Sequence, residues 1–153
     1  MTHPKQAPKT LRGDARALVE SCPAALSRLA ARRITRFLDE ELAATGLSSG
    51  QLALMAQIAA AEDDTLGALA ERAGLEQSTL SRNLRVLESA GLVEIASVEG
   101  DLRRRAAWLT EAGARRLEAA LPTWRKAQAK LSRRLSPERM RRLAAAAAEL
   151  MAD

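Results

Sequence analysis

This sequence predicts a mostly α-helical fold of about six helices with one small β-hairpin. Three observations carry that expectation. The residues are 47% hydrophobic but only 2% aromatic, so the core is built mainly from Leu and Ala, which suits packed helices better than stacked sheets. Apolar residues recur at helical spacing through most of the chain. One stretch departs from that period: residues 92 to 109 hold two runs of strand-forming residues around Glu99-Gly100-Asp101, which is turn chemistry. A length of 153 residues is most simply one domain, here residues 11–153 behind a loose tail, residues 1–10, that carries Pro4 and Pro8.

From about Leu11 to Ala44 the period is helical, with Pro23 as an interruption or a first-turn proline. Leu26, Leu29, Ala30, Ile34, Phe37, Leu38 and Leu42 form its apolar stripe, and Gly46 ends it. Ser48 with Gln51 has the spacing of a capping box, and Leu52, Met55, Ile58 and Ala59 then mark an amphipathic helix. Thr65 is a good N-cap for a short helix carrying Leu66, Leu69 and Ala70. Gly74 stops it, because glycine accepts a left-handed backbone without steric cost. Leu75 plugs the corner, and a second helix runs from about Gln77 to Ala90, ending at Gly91. Leu92, Val93, Ile95 and Val98 form one strand of the hairpin; Ala106, Ala107, Trp108 and Leu109 form the other. Thr110 caps a long helix to about Leu131, and Ser136-Pro137-Glu138 starts the last one, to about Met151.

The helix pair is the most informative part. At about 100° per residue, Leu84 lies about 40° from Leu80 and Leu87 about 20° the other way. Ser78, Arg82 and Arg85 fall on the opposite side, flanked by Thr79 and Ser81, with Gln77 at the entry. No carboxylate stands between Gln77 and Arg85. A short helix pair of this kind can set its second helix in the major groove of DNA, where arginine donates to guanine or grips phosphate. Arg103, Arg104 and Arg105 stand at or just past the hairpin tip. Their mutual repulsion would be relieved by a polyanion, and Asp101 is placed to pair with Arg103. The net charge of +5 agrees.

These residues resemble the winged helix-turn-helix of the MarR family of bacterial transcription regulators. The likeness rests on Leu69-Ala70, Ser78-Thr79-Leu80-Ser81-Arg82, Leu87-Glu88 and Gly91-Leu92-Val93. Asp101-Leu102-Arg103 matches the Asp-x-Arg signature of the family's wing, and Leu109-Thr110 followed by Glu111-Ala112-Gly113 falls at the family's spacing. Gly46-Leu47-Ser48 before Gln51 and Leu135-Ser136-Pro137-Glu138 extend it to roughly residues 22 to 151. The resemblance implies a DNA-binding lobe over about 47–109 and dimerisation through helices at about 11–45 and 110–151. It also implies a homodimer on a palindromic, double-stranded operator, acting as a repressor that a small molecule releases. Gln77, Ser78, Thr79, Ser81, Arg82 and Arg85 would face the major groove, and Arg103, Arg104 and Arg105 the minor groove or its phosphates.

Dimerisation has independent support. One small lobe cannot cover all of Leu117, Ala120, Leu121, Trp124, Leu131, Leu135, Leu143 and Leu150, and exposed apolar area of that extent marks an interface. For an effector, the resemblance implies a small anionic aromatic compound, with Phe37 and Trp108 as apolar walls and Arg16 or Arg33 facing its acid group. Some relatives sense organic peroxides through a cysteine near Cys22, so a redox-sensing regulator is one alternative. The sequence has no tyrosine, so that sensor's tyrosine partners are missing. A winged-helix protein-interaction module without DNA binding is the alternative of a different class.

Enzyme chemistry finds no residues here. His3 is the sole histidine and Cys22 the sole cysteine, so a Ser/His/Asp triad, a histidine-rich metal site and a structural zinc site cannot be assembled. No Gly-rich phosphate loop is present, and Glu40-Glu41 and Asp63-Asp64 are sequence neighbours that do not face each other on a helix. No cofactor and no membrane partner are expected. One cysteine fits a reducing bacterial cytoplasm, with the protein on the nucleoid when bound to DNA.

Overall fold

The structure, a computed structural model, describes residues 9–62 and 65–150, with the backbone alone at residues 9, 102 and 103. The expectations for His3, the tail up to residue 8, the Asp63-Asp64 pair and Met151 lie outside the described residues. The elements are α1 (Lys9–Ser21), α2 (Pro23–Leu42), a 3-10 turn (Ala43–Thr45), α3 (Ser49–Ala59), α4 (Leu66–Ala73), α5 (Gln77–Ser89), β1 (Val93–Val98), β2 (Asp101–Leu109), α6 (Glu111–Ser132) and α7 (Pro137–Glu149).

Seven helices are thus described, against about six expected, and the difference is made at Pro23. A residue before proline is pushed out of the helical region, so Cys22 separates two helices and Pro23 takes the first position of the second. Backbone bonds flank the break, from Cys22 N–H to Leu18 O at 2.9 Å and from Leu26 N–H to Cys22 O at 3.0 Å. Lys9 and Thr10, expected in the tail, are helical.

The chain forms two compact units, Met1–Phe37 and Leu38–Asp153. The first holds α1 and most of α2, and none of its described residues is fully buried. Leu18 and Val19 are each 64% exposed.

The second unit has a continuous core of Leu42, Leu47, Leu52, Leu54, Met55, Leu69, Leu80, Leu84, Leu87, Leu92, Val93, Ala107, Leu117 and Ala120. Helix α3 lies at its centre and packs against α4, β2 and α6. Leu54 is therefore buried beside the expected Leu52, Met55 and Ile58, while Ala59 is exposed. Leu117 and Ala120 correct the expectation of exposure: both are buried in this unit's own core. Leu121, Trp124 and Leu131 are half-buried, whereas Leu135, Leu143 and Leu150 are exposed as expected. Leu84 has no exposed surface, so Leu84→Ala should cost about 2–5 kcal/mol by leaving a cavity under α5. Urea unfolding followed by circular dichroism measures this.

Two joints fix the lobe. At the start of α3 the capping box is present, with Gln51 N–H to Ser48 Oγ at 3.1 Å and Ser48 N–H to Gln51 Oε1 at 2.9 Å. Asp39 Oδ1 also accepts the Ser49 N–H at 2.7 Å. Hydrogen bonds from the Ser49 side chain and then its backbone hold the Asp39 carboxyl below the usual carboxylate value. A depressed folded pKa adds stability that is present above the unfolded value of about 3.9 and is lost as pH falls through the folded one. Asp39→Asn should therefore flatten the acid limb of a stability-versus-pH curve below about pH 4, with little change in its shape near neutrality.

The second joint ties the end of the hairpin to α6. Thr110 Oγ1 donates to Gly91 O at 2.6 Å and accepts the Gly113 N–H at 3.0 Å. The Thr110 N–H donates to Leu92 O at 3.1 Å.

Candidate nucleic-acid interface

The geometry begins at the α4–α5 corner. Thr65 caps α4 by accepting the Ala68 N–H at 3.4 Å. Gly74 takes φ 62°, and two bonds close the turn: Gly74 N–H to Glu71 O at 3.1 Å and Leu75 N–H to Ala70 O at 2.9 Å. That pair is a Schellman motif. The same motif ends α5, where Gly91 has φ 71° and Leu92 N–H reaches Leu87 O at 2.9 Å.

Helix α5 buries Leu80, Leu84 and Leu87, and that fixes which way the other side chains point. Gln77, Ser78, Ser81, Arg82 and Arg85 are exposed, and Thr79 is half-buried at the edge of the face. Arg82 Nη2 donates to Thr79 Oγ1 at 3.4 Å. Asn83 and Val86 are also exposed on α5; sequence alone does not single them out, because neither carries charge.

The hairpin pairs Val93 with Leu109 through Ser97 with Arg105 and then shifts, so that Val98 faces Asp101. Residues 102 to 104 consequently have no ladder partner, an enlarged bulge of the kind that bends a strand end and re-aims its side chains. Gly100 makes the turn with φ 87°. Arg105 sits in the ladder rather than past the tip. Arg104 and Arg105 are exposed; the side chain of Arg103, and with it the expected Asp101–Arg103 pair, lies outside the described residues. An isolated bridge joins Thr65 to Ala106, tying the hairpin to the residue that caps α4.

Thr65 also lines a cleft of about 380 Å³, together with Leu66, Gly67, Gln77, Leu80, Ser81, Arg104 and Arg105. Four of the residues singled out from sequence thus meet there, two from α5 and two from the hairpin. Ser78, Arg82 and Arg85 form the adjoining open face.

The residues expected to hold an effector fall in both units. Arg16 and Arg33 are exposed and Phe37 half-buried in the first; Trp108, 38% exposed, lies opposite Glu94 on the hairpin of the second. A separate, mainly apolar cavity of about 360 Å³ lies within the second unit, lined by Leu38, Leu42, Ser49, Leu52, Ala53, Ala56, Gln57, Leu117, Leu121 and Trp124. None of the four expected residues lines it. Its walls come from helices far apart in sequence, which is why no local pattern announces it. Cys22 is half-buried in the first unit. Among the described residues no group of acidic, His or Cys side chains has the arrangement of a metal site, and no helix is long and apolar enough to cross a membrane.

A helix pair with a Gly corner, an outward second helix and an arginine-bearing hairpin define a winged helix-turn-helix protein. The comparisons agree. The MarR family profile matches residues 45–104. The transcriptional regulator MosR of M. tuberculosis, solved in complex with DNA, is 33% identical with a TM-score of 0.77 over 85% of this chain and 96% of its own. A second crystal structure of M. tuberculosis MosR gives 32% identity and a TM-score of 0.74 over 86% and 96%. A MarR-family regulator from Silicibacter pomeroyi is 27% identical, with a TM-score of 0.61 over 90% and 93%. No curated protein sequence gives a significant match. The chain belongs to the MarR family.

Proposed function

We propose that two copies of this chain bind a palindromic site on duplex DNA and regulate transcription as a repressor. The observation that carries the reading is the outward face of α5: Ser78, Ser81, Arg82 and Arg85 stand exposed with no carboxylate from Gln77 to Arg85. The arginine cleft beside it adds cations where a phosphate backbone would run. The DNA complex of the 33% identical MosR points the same way.

Dimerisation follows from the apolar surface left open. Leu11, Leu18 and Val19 are exposed on α1 of the first unit, and Met140, Leu143 and Leu150 are exposed on or beside α7 of the second, and open apolar side chains of this kind suit an interface. In this reading α5 is the recognition helix, and the protein works in the cytoplasm.

Release by a small anionic aromatic compound is the regulatory step. Such a ligand acts only if it prefers one spacing of the two recognition helices. The cavity beside Trp124 is a candidate site for it, since its lining is mainly apolar with Ser49 and Gln57 as polar points.

A gel shift tests the reading, using the DNA upstream of the protein's own gene against a scrambled duplex at fixed salt. Preferential retardation of the upstream DNA, weakening steeply with salt, is expected. Equal or absent binding would leave a winged helix that serves protein contacts instead.

A further inference from the structure

We infer that Thr79, Arg82 and Val86 form a single reading stripe along α5, which recognises a guanine lying within about two base pairs of a thymine methyl group. This rests on the DNA-binding reading above and specifies the sequence chemistry of that same face.

Thr79 and Val86, seven residues apart, lie about 20° from each other around the helix, with Arg82 between them and about 40–60° to one side. The Thr79 hydroxyl accepts one N–H of Arg82 at 3.4 Å. A guanidinium has five donors in a fixed fork, so one such bond orients the plane and leaves enough donors for both guanine acceptors, N7 and O6. Thr79 is thus a positioning residue for Arg82.

Val86 is the odd member of this face. It is 55% exposed, while Leu84 and Leu87 on either side have no exposed surface and close the core without it. A β-branched residue is a weaker helix former than Ala or Lys at an open helical position, so its place is not explained by helix stability. It borders a groove of about 200 Å³ that also involves Ser48, Gly50, Gln51 and Leu54 at the start of α3, yet more than half of its surface stays open. The apolar group that a major groove offers is the C5-methyl of thymine. Arg82 and Val86 are four residues apart, about 6 Å along the helix axis. Base pairs repeat at about 3.4 Å, so the two side chains reach positions one or two steps apart.

The test uses the full-length chain and a duplex enriched by it from a random-sequence library. Each thymine is replaced singly by deoxyuridine, which removes only the methyl, and each guanine by 7-deazaguanine, which removes only N7. One thymine per half-site should prove sensitive, its replacement weakening wild-type binding about fourfold, the value of one buried methyl-sized group. Val86→Ala, which favours the helix, should bind both duplexes alike. A guanine within two steps should lose about tenfold on N7 removal. That penalty should shrink in Thr79→Val and persist in Thr79→Ser, which restores the hydroxyl. Wild-type indifference to every methyl, or a Val86→Ala variant as methyl-sensitive as wild type, overturns the inference. Equal N7 penalties in Thr79→Val and wild type overturn it as well. A library that yields no enriched duplex overturns the DNA-binding reading itself.

Discussion

Gly113→Ala should destabilise the protein by about 3 kcal/mol or more, at or beyond the upper end of what overpacking ordinarily costs. A Cβ at Gly113 would stand 1.9 Å from the Leu92 carbonyl oxygen and 2.9 Å from its carbon. Both sides of that contact are backbone, so no rotamer relieves it. Leu92 O is also the acceptor for the Thr110 N–H, at 3.1 Å, so α6 cannot shift away without breaking the joint that fixes the end of α5. For a chain of this size the midpoint should fall by about 6–12 °C, read by thermal circular dichroism at one protein concentration, since a dimer's midpoint depends on it. Gly67→Ala is the matching control: it is also helical, with nothing within 4 Å of the added Cβ. It should raise stability by about 0.4–1 kcal/mol. Equal melting of Gly113→Ala and wild type would mean that α6 does not approach Leu92 as described.

Arg82→Ala should cost about 1–3 kcal/mol in binding to the preferred duplex and relax discrimination at one base pair per half-site. The hairpin arginines should behave differently. Replacing Arg103, Arg104 and Arg105 together by Ala should weaken binding to all sequences evenly. It should also reduce the slope of log affinity against log salt by about 0.9 for each phosphate that is no longer neutralised. The contrast follows from placement: Arg82 stands on an open helix face, whereas Arg104 and Arg105 line a cleft with Gln77 and Ser81. Fluorescence anisotropy with labelled duplexes over a range of salt measures both effects. An Arg82→Ala variant unchanged in affinity and specificity would remove that residue from the interface.

Helix ends are the most legible part of this sequence, because each depends on a few adjacent residues. Ser48 with Gln51, Thr65, Gly74, Gly91, Thr110 and Ser136-Pro137 all cap where their chemistry puts them. Burial is less legible where tertiary packing decides it. Helix α3 is covered on more than one side, so Leu54 is buried outside the apolar stripe. Leu117 and Ala120 read as interface residues because the sequence does not reveal that α6 crosses the core of its own unit. The Thr65–Ala106 bridge joins residues 41 positions apart, and no local signal announces a single bridge of that kind.

The outward face of α5 is legible in part, since pitch alone separates Arg82 and Arg85 from the leucines. The same pitch sets Val86 off the leucine face, but an uncharged apolar residue there does not stand out until its 55% exposure is seen. The arginine cleft is hidden in the sequence because it needs the bulge that shifts the register at Ser97 and Val98. The cavity beside Trp124 needs helices from three parts of the chain.

The central claim is that two copies of the chain hold two α5 helices at the separation of successive turns of one DNA face. Affinity measured against half-site spacing tests it most directly. Binding should be strongest at a centre-to-centre spacing of about 10 base pairs, with two chains per duplex, and should collapse when about five base pairs are inserted. Affinity indifferent to that insertion, or one chain saturating the duplex, would contradict it.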